Sequence, residues 1–105
     1  MNKNQALNLA KSYLEKLKKT RIPIQQSFIF GSFVKKRFTK NSDIDLAIVS
    51  PAFGKDKQKE RILLMNLRDE KTLIIEPHPI SLKEWQLKLN PIINEIKKNA
   101  IMVSV

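Results

Sequence analysis

Gly31-Ser32-Phe33-Val34-Lys35-Lys36-Arg37-Phe38-Thr39-Lys40-Asn41-Ser42-Asp43-Ile44-Asp45-Leu46 is the stretch that decides the reading of this chain. The apolar run Phe28-Ile29-Phe30 leads into Gly31-Ser32, and the run Leu46-Ala47-Ile48-Val49 follows Asp43-Ile44-Asp45. The first run reads as a buried strand that feeds a tight turn, the second as a strand that opens with two acids. Side chains alternate along a strand, so Asp43 and Asp45 share one face while Ile44 and Leu46 take the other. Two carboxylates about 7 Å apart at the backbone repel unless a cation lies between them. Hard oxygen ligands of this kind suit Mg²⁺ completed by water and substrate phosphates. Gly31 has the conformational freedom for close backbone approach to a phosphate. Ser32 has a hydroxyl and can open a helix, where free N–H groups favour an anion. The parts describe a site for a metal and a nucleotide. The alternative is an amphipathic edge strand whose aspartates are merely solvated.

Gly-Ser, ten intervening residues, then Asp-Ile-Asp-Leu resembles the signature of the DNA polymerase β-like nucleotidyltransferase superfamily. The shortness of the chain and the form Ser42-Asp43-Ile44-Asp45-Leu46 resemble its minimal nucleotidyltransferase (MNT) branch. That branch often carries Arg after Gly-Ser, Arg two residues further on, and then Gly; here these positions hold Phe33, Lys35 and Lys36. The resemblance implies an α/β (α+β) fold, a small mixed sheet flanked by helices, over residues 1–105 as a single domain. It implies two Mg²⁺ ions held by Asp43, Asp45 and a third carboxylate on a later strand. Glu76, at the end of the apolar run Leu73-Ile74-Ile75, is the candidate for that third ligand. Gly31, Ser32, Lys35 and Ser42 are the candidates for holding ATP, the expected donor of AMP. In the MNT branch the usual partner is a small helical HEPN-type protein encoded nearby, often an RNase toxin, and the MNT protein acts as antitoxin, in some pairs by adenylylating a tyrosine of the toxin. Two other readings stay open: a non-catalytic module that neutralises a partner by contact, and a nucleotidyltransferase acting on RNA.

Composition bounds these readings. With 105 residues there is room for one core. Cysteine is absent, which leaves carboxylates and the single histidine, His78, as metal ligands. No apolar run is long enough to span a bilayer, and the start Met1-Asn2-Lys3-Asn4-Gln5 lacks the apolar segment of a signal peptide. The expectation is a cytoplasmic protein, with an oligomer open. The net charge of +10 attracts polyanions such as nucleotides, RNA or an acidic partner. Sixteen of the 20 basic residues are lysines scattered along the chain, which fits compositional bias equally well. Aromatic residues are not interleaved with them, which argues against a stacking platform for single strands.

Along the rest of the chain, Ala6, Leu9, Ala10, Tyr13, Leu14 and Leu17 recur at helical spacing and predict a helix over Lys3 to Lys19. Strands are expected over Ile24 to Phe30, Ile44 to Ser50 and Leu73 to Pro77. Phe33 to Phe38 reads as a short helix, with Lys35, Lys36 and Arg37 near the phosphates, and Thr39-Lys40-Asn41-Ser42 as a polar loop. Asp56 caps a helix from about Lys57 to Asp69, in which Ile62, Leu63, Met65 and Leu67 form the apolar face. Pro77 and Pro79 are expected to end the third strand, leaving His78 as a loop histidine between two prolines. Ser81 and Glu84 form a capping box for a helix holding Leu82, Trp85, Leu87 and Leu89. Pro91 opens a last helix to about Asn99, and Ile101 to Val105 is a short strand or apolar tail.

Overall fold

The computed structural model describes residues 1–35 and 43–104. Ser42, the basic pair Lys36-Arg37 and the loop Thr39-Lys40-Asn41 lie outside the described residues, as does Val105. Helix α1 spans Lys3–Lys19, with Asn2 and Gln5 forming a capping box at its start. Its buried residues, Ala6, Ala10, Tyr13, Leu14 and Leu17, are the spaced apolar set of the sequence except Leu9, which is partly buried. Strand β1 (Gln26–Phe30) ends at Gly31 and is followed by the four-residue helix α2 (Ser32–Lys35). Strand β2 covers Ile44–Ser50, helix α3 Lys57–Asn66, strand β3 Ile75–Ser81, helix α4 Leu82–Leu87, helix α5 Pro91–Lys98 and strand β4 Ile101–Met102.

The four strands form one mixed sheet in the order β3-β2-β1-β4. Strand β1 is antiparallel to β2 and β4, while β2 and β3 are parallel. Alternation sorts the side chains between two cores. Ile29, Ile44, Leu46, Ile48 and Ile75 pack with α1 and with Leu64 of α3. Phe28, Phe30, Ala47, Val49 and Ile80 pack with Ile93 and Ile96 of α5, against the partly buried Leu82 and Trp85 of α4. Trp85 stacks on Phe28 at 5.3 Å between ring centres. This is the expected small mixed sheet flanked by helices. No helix among the described residues is long and apolar enough to cross a membrane.

β1 starts at Gln26 and not Ile24, and α4 stops at Leu87, leaving the exposed Leu89 outside it. Two expectations about the sheet's edge are corrected. The third strand does not end at Pro77; it starts at Ile75 and runs through both prolines to Ser81, so His78 is a strand residue and not a loop residue. The pairing explains why. The Ile44 N–H donates to the Ile74 carbonyl, and Asp45 pairs with Glu76 and Ala47 with His78. In a parallel ladder only alternate residues bond to the neighbour, here the even-numbered ones. Pro77 and Pro79 therefore turn their missing N–H groups to the open side of an edge strand, where no ladder bond is lost. The second correction concerns α3. Leu64 is its buried residue, while Ile62, Leu63 and Met65 are exposed. The helix lies at the sheet's edge beside β3, so only a narrow stripe of it meets the core. Leu64 also offers its carbonyl to the Tyr13 hydroxyl, 2.6 Å away and buried, which ties α3 to α1.

Candidate functional site

The site forms where β1 leaves the sheet and β2 and β3 enter it. Phe30, the last residue of β1, pairs with Asp45, and Asp45 pairs with Glu76. His78 follows Glu76 by two, so Asp45, Glu76 and His78 stand on one face of adjacent strands. That face is the one covered further along by α4 and α5. All three side chains are part-buried, and one ligand atom from each lies within 4.8 Å of the others.

Each member has a cationic or ring partner. His78 Nε2 lies 3.0 Å from Asp45 Oδ1. The edge of the His78 ring meets Phe30 at 5.1 Å between centres. Arg61 of α3 donates from Nη2 to Glu76 Oε1 at 2.7 Å. Gly31 lies against the Asp45 carboxylate. Its φ is +81°, and a side-chain carbon there would sit 2.3 Å from Asp45 Oδ2. The absent side chain of Gly31 is therefore the space that the Asp45 carboxylate fills. The sequence reading gave this glycine's freedom to a phosphate; the structure shows that its missing side chain also makes room for the Asp45 carboxylate.

The remaining candidates lie around this cluster. Asp43 is exposed, one residue ahead of β2, and outside the 4.8 Å group. It lines a cavity of about 250 Å³ together with Arg61 and Glu76, so it faces the same opening as the third carboxylate. Ser32 is exposed at the start of α2. Lys35 is paired with Glu95 of α5 at 3.0 Å, on the exposed surface. A second cavity of about 460 Å³ opens beside His78, between the start of α3 and the entry to α5. Arg61 borders both cavities.

Sequence reasoning missed Arg61 as a member, and favoured a loop position for His78 although its spacing from Glu76 would aim it at the same face of an extended chain. Arg61 is one of many cations on a helix, and nothing local distinguishes it. For His78 a signal existed: two residues beyond a strand carboxylate is the same face, provided the strand continues.

The donor set fits a divalent cation. Two carboxylates and an imidazole bring ligand atoms within 4.8 Å of one another, and a glycine makes room for one of the carboxylates. Each carboxylate is now balanced by a protein cation or imidazole instead of lying free.

Comparison with known proteins bears on the family and the fold. Residues 10–103 match the nucleotidyltransferase domain family. A crystal structure of a candidate nucleotidyltransferase from Sulfolobus solfataricus superposes with a TM-score of 0.63 at 17% identity, covering 91% of this chain and 77% of that one. At that identity the likeness speaks for the fold. No curated protein matches the chain. With the family matched over nearly the whole length and a mixed sheet flanked by helices that agrees in overall fold with a solved nucleotidyltransferase-like structure, the chain belongs to the nucleotidyltransferase domain family, within the DNA polymerase β-like superfamily.

Proposed function

We propose that this domain transfers AMP from ATP to a hydroxyl of a partner protein, that it does so with Mg²⁺, and that the partner is a HEPN-type helical toxin silenced by the modification. The observation that carries the reading is the convergence of Asp45 and Glu76 from adjacent strands over Gly31, with Asp43 on the rim of the same opening. The choice of ATP and of the toxin rests on the resemblance to the MNT branch.

Asp43, Asp45 and Glu76 are the residues that would hold the cation. Bound divalent ions neutralise the triphosphate and lower the pKa of an attacking hydroxyl. The chain's own residues bind and orient. The Gly31 backbone and the Ser32 hydroxyl hold the β- and γ-phosphates, with Lys35 as a neighbouring cation; Ser42, outside the described residues, is a further candidate by sequence alone. Lys35 exchanges Glu95 for phosphate when it does so. The acceptor oxygen attacks the α-phosphorus, the bond to the β-phosphate bridging oxygen breaks, and pyrophosphate leaves. Placement and charge neutralisation account for most of the rate in such a site.

A second reading has one observation in its favour. Asp45 is already engaged by His78 and Glu76 by Arg61. A site with its carboxylates balanced internally suits a module that neutralises its partner by contact alone.

One experiment separates them. ATP labelled at the α-phosphate is incubated with Mg²⁺, the protein and lysate of its own host, beside an Asp43→Ala/Asp45→Ala control. Label on a discrete protein band, absent from the control, is the expected result. Label on RNA would redirect the activity to nucleic acid. No label despite Mg²⁺-dependent ATP binding would leave the contact module, and no ATP binding would remove the nucleotide site altogether.

A further inference from the structure

We infer that His78 is a metal ligand, and that it makes this site prefer a first-row transition cation such as Mn²⁺ over Mg²⁺. The inference rests on the metal-dependent reading above and deepens it.

The geometry is that of a ligand as much as of a hydrogen bond. Ligands at right angles on one ion with bonds of about 2.1 Å stand about 3 Å apart, and opposed ligands about 4.2 Å. His78 Nε2 and Asp45 Oδ1 are 3.0 Å apart, and the three-residue set lies within 4.8 Å. Small side-chain rotations bring all three onto one ion. Glu76 accepts from Arg61 at Oε1 and brings one carboxylate oxygen within 4.8 Å of the ligand atoms of Asp45 and His78.

The imidazole is held for this. His78 lies in a strand between Pro77 and Pro79, whose rings fix the backbone on either side. Its ring edge rests on Phe30, which is itself buried between the sheet and α5. A nitrogen positioned by both backbone and ring contact binds an ion without first losing much side-chain freedom. Asp43, by contrast, is exposed and outside the group. The preformed set is therefore two oxygens and one nitrogen, not three oxygens.

That difference selects the ion. Mg²⁺ is small and hard, is held by oxygen, and keeps its water. First-row transition ions accept imidazole beside carboxylate, and their affinity for a mixed nitrogen and oxygen site rises along the series from Mn²⁺.

The test uses the full chain, Mn²⁺ as probe and Mg²⁺ as competitor. Free Mn²⁺ is counted by its electron paramagnetic resonance signal, and pulsed measurement of bound Mn²⁺ detects directly coordinated nitrogen. The wild type is expected to bind Mn²⁺ about tenfold or more tightly than Mg²⁺ and to show nitrogen modulation. His78→Gln keeps a hydrogen-bonding side chain but no imidazole; it should lose the nitrogen signal and about 10–100-fold in Mn²⁺ affinity, with Mg²⁺ affinity changed far less. Bound Mn²⁺ without nitrogen modulation in the wild type overturns the inference and leaves the oxygen-ligated Mg²⁺ site standing. So does an equal loss of both ions in His78→Gln, which would make His78 a positioning residue for Asp45. Mn²⁺ binding that survives Asp45→Ala unchanged lies elsewhere on the molecule and also overturns it. Failure of either ion to bind removes the metal-dependent function as well.

Discussion

At residue scale the tightest constraint is Gly31. Its φ of +81° belongs to the left-handed region, where a side chain costs about 1–2 kcal/mol. Its Cβ position is also taken by Asp45 Oδ2, at 2.3 Å. Gly31→Ala thus adds backbone strain and expels the carboxylate from its seat. The expected loss is about 1–3 kcal/mol of stability, read from urea midpoints. Divalent-cation affinity and the proposed AMP transfer should fall further than that strain alone accounts for. If stability falls while cation binding is unchanged, the glycine serves the turn and not Asp45. Part of this was legible in the sequence. A glycine after an apolar run and before an acid-led strand marks a turn and a close approach. What it approaches was not legible, because Asp45 is 14 residues away and meets Gly31 only through the antiparallel pairing of β1 and β2. The same holds for the partners of Asp45 and Glu76. His78 and Arg61 reach them across pairings of 33 and 15 residues, which no local pattern encodes.

At the scale of elements, local signals carried far and edge effects did not. Helix α1 and strand β2 match their expected bounds, and the Ser81–Glu84 capping box is present, since spacing and caps act within a turn or two. Strand β3 and helix α3 departed because each depends on lying at the sheet's edge. An edge strand accepts proline on its open side, and a helix beside it buries one leucine in place of a whole face. What then anchors α3 is the Tyr13–Leu64 hydrogen bond. Burial pushes the Tyr13 hydroxyl well above its ordinary range, against a smaller opposing pull from Arg68. A group whose pKa is raised by folding adds stability that is complete below its unfolded value and is lost as pH rises beyond it. The unfolded value is about 10, so wild-type stability should start to decline above that pH. Tyr13→Phe should cost about 0.5–1.5 kcal/mol at neutral pH by removing this buried hydrogen bond, the Leu64 carbonyl keeping only the longer bond from the Leu67 N–H. The variant should also decline less steeply above pH 10. Chemical denaturation at pH 7 and pH 10.5 checks both; parallel declines in the two proteins would show that Tyr13 does not control alkaline unfolding.

At the scale of the whole molecule, a net charge of +10 is spread over a body of 34 × 29 × 22 Å. The Debye length is about 30 Å at 0.01 M salt and about 10 Å at 0.1 M. At the lower salt nearly every cation therefore repels every other; at the higher salt only neighbours do. The opposing term is the set of exposed ion pairs, such as Lys35–Glu95 and Lys57–Glu84. Each such pair is worth about 0–1 kcal/mol and weakens with salt as well. With twice as many basic as acidic residues, repulsion outweighs the pairs. Raising NaCl from about 0.01 to 0.2 M should therefore raise Tm, by about 4–8 °C for each kcal/mol of repulsion relieved. Over the same range the capture of an anionic ligand should weaken, because the field that attracts it is the field being screened. For ATP this is a fall in association rate in stopped-flow binding, steeper than any change in dissociation. The two trends run in opposite directions from one cause, which makes them a sharper test together than apart. A Tm that falls with salt would mean that the exposed pairs dominate. A rising Tm with salt-independent ATP association would mean that the positive charge lies away from the site, and that the scattered lysines reflect composition and not recruitment of a polyanion.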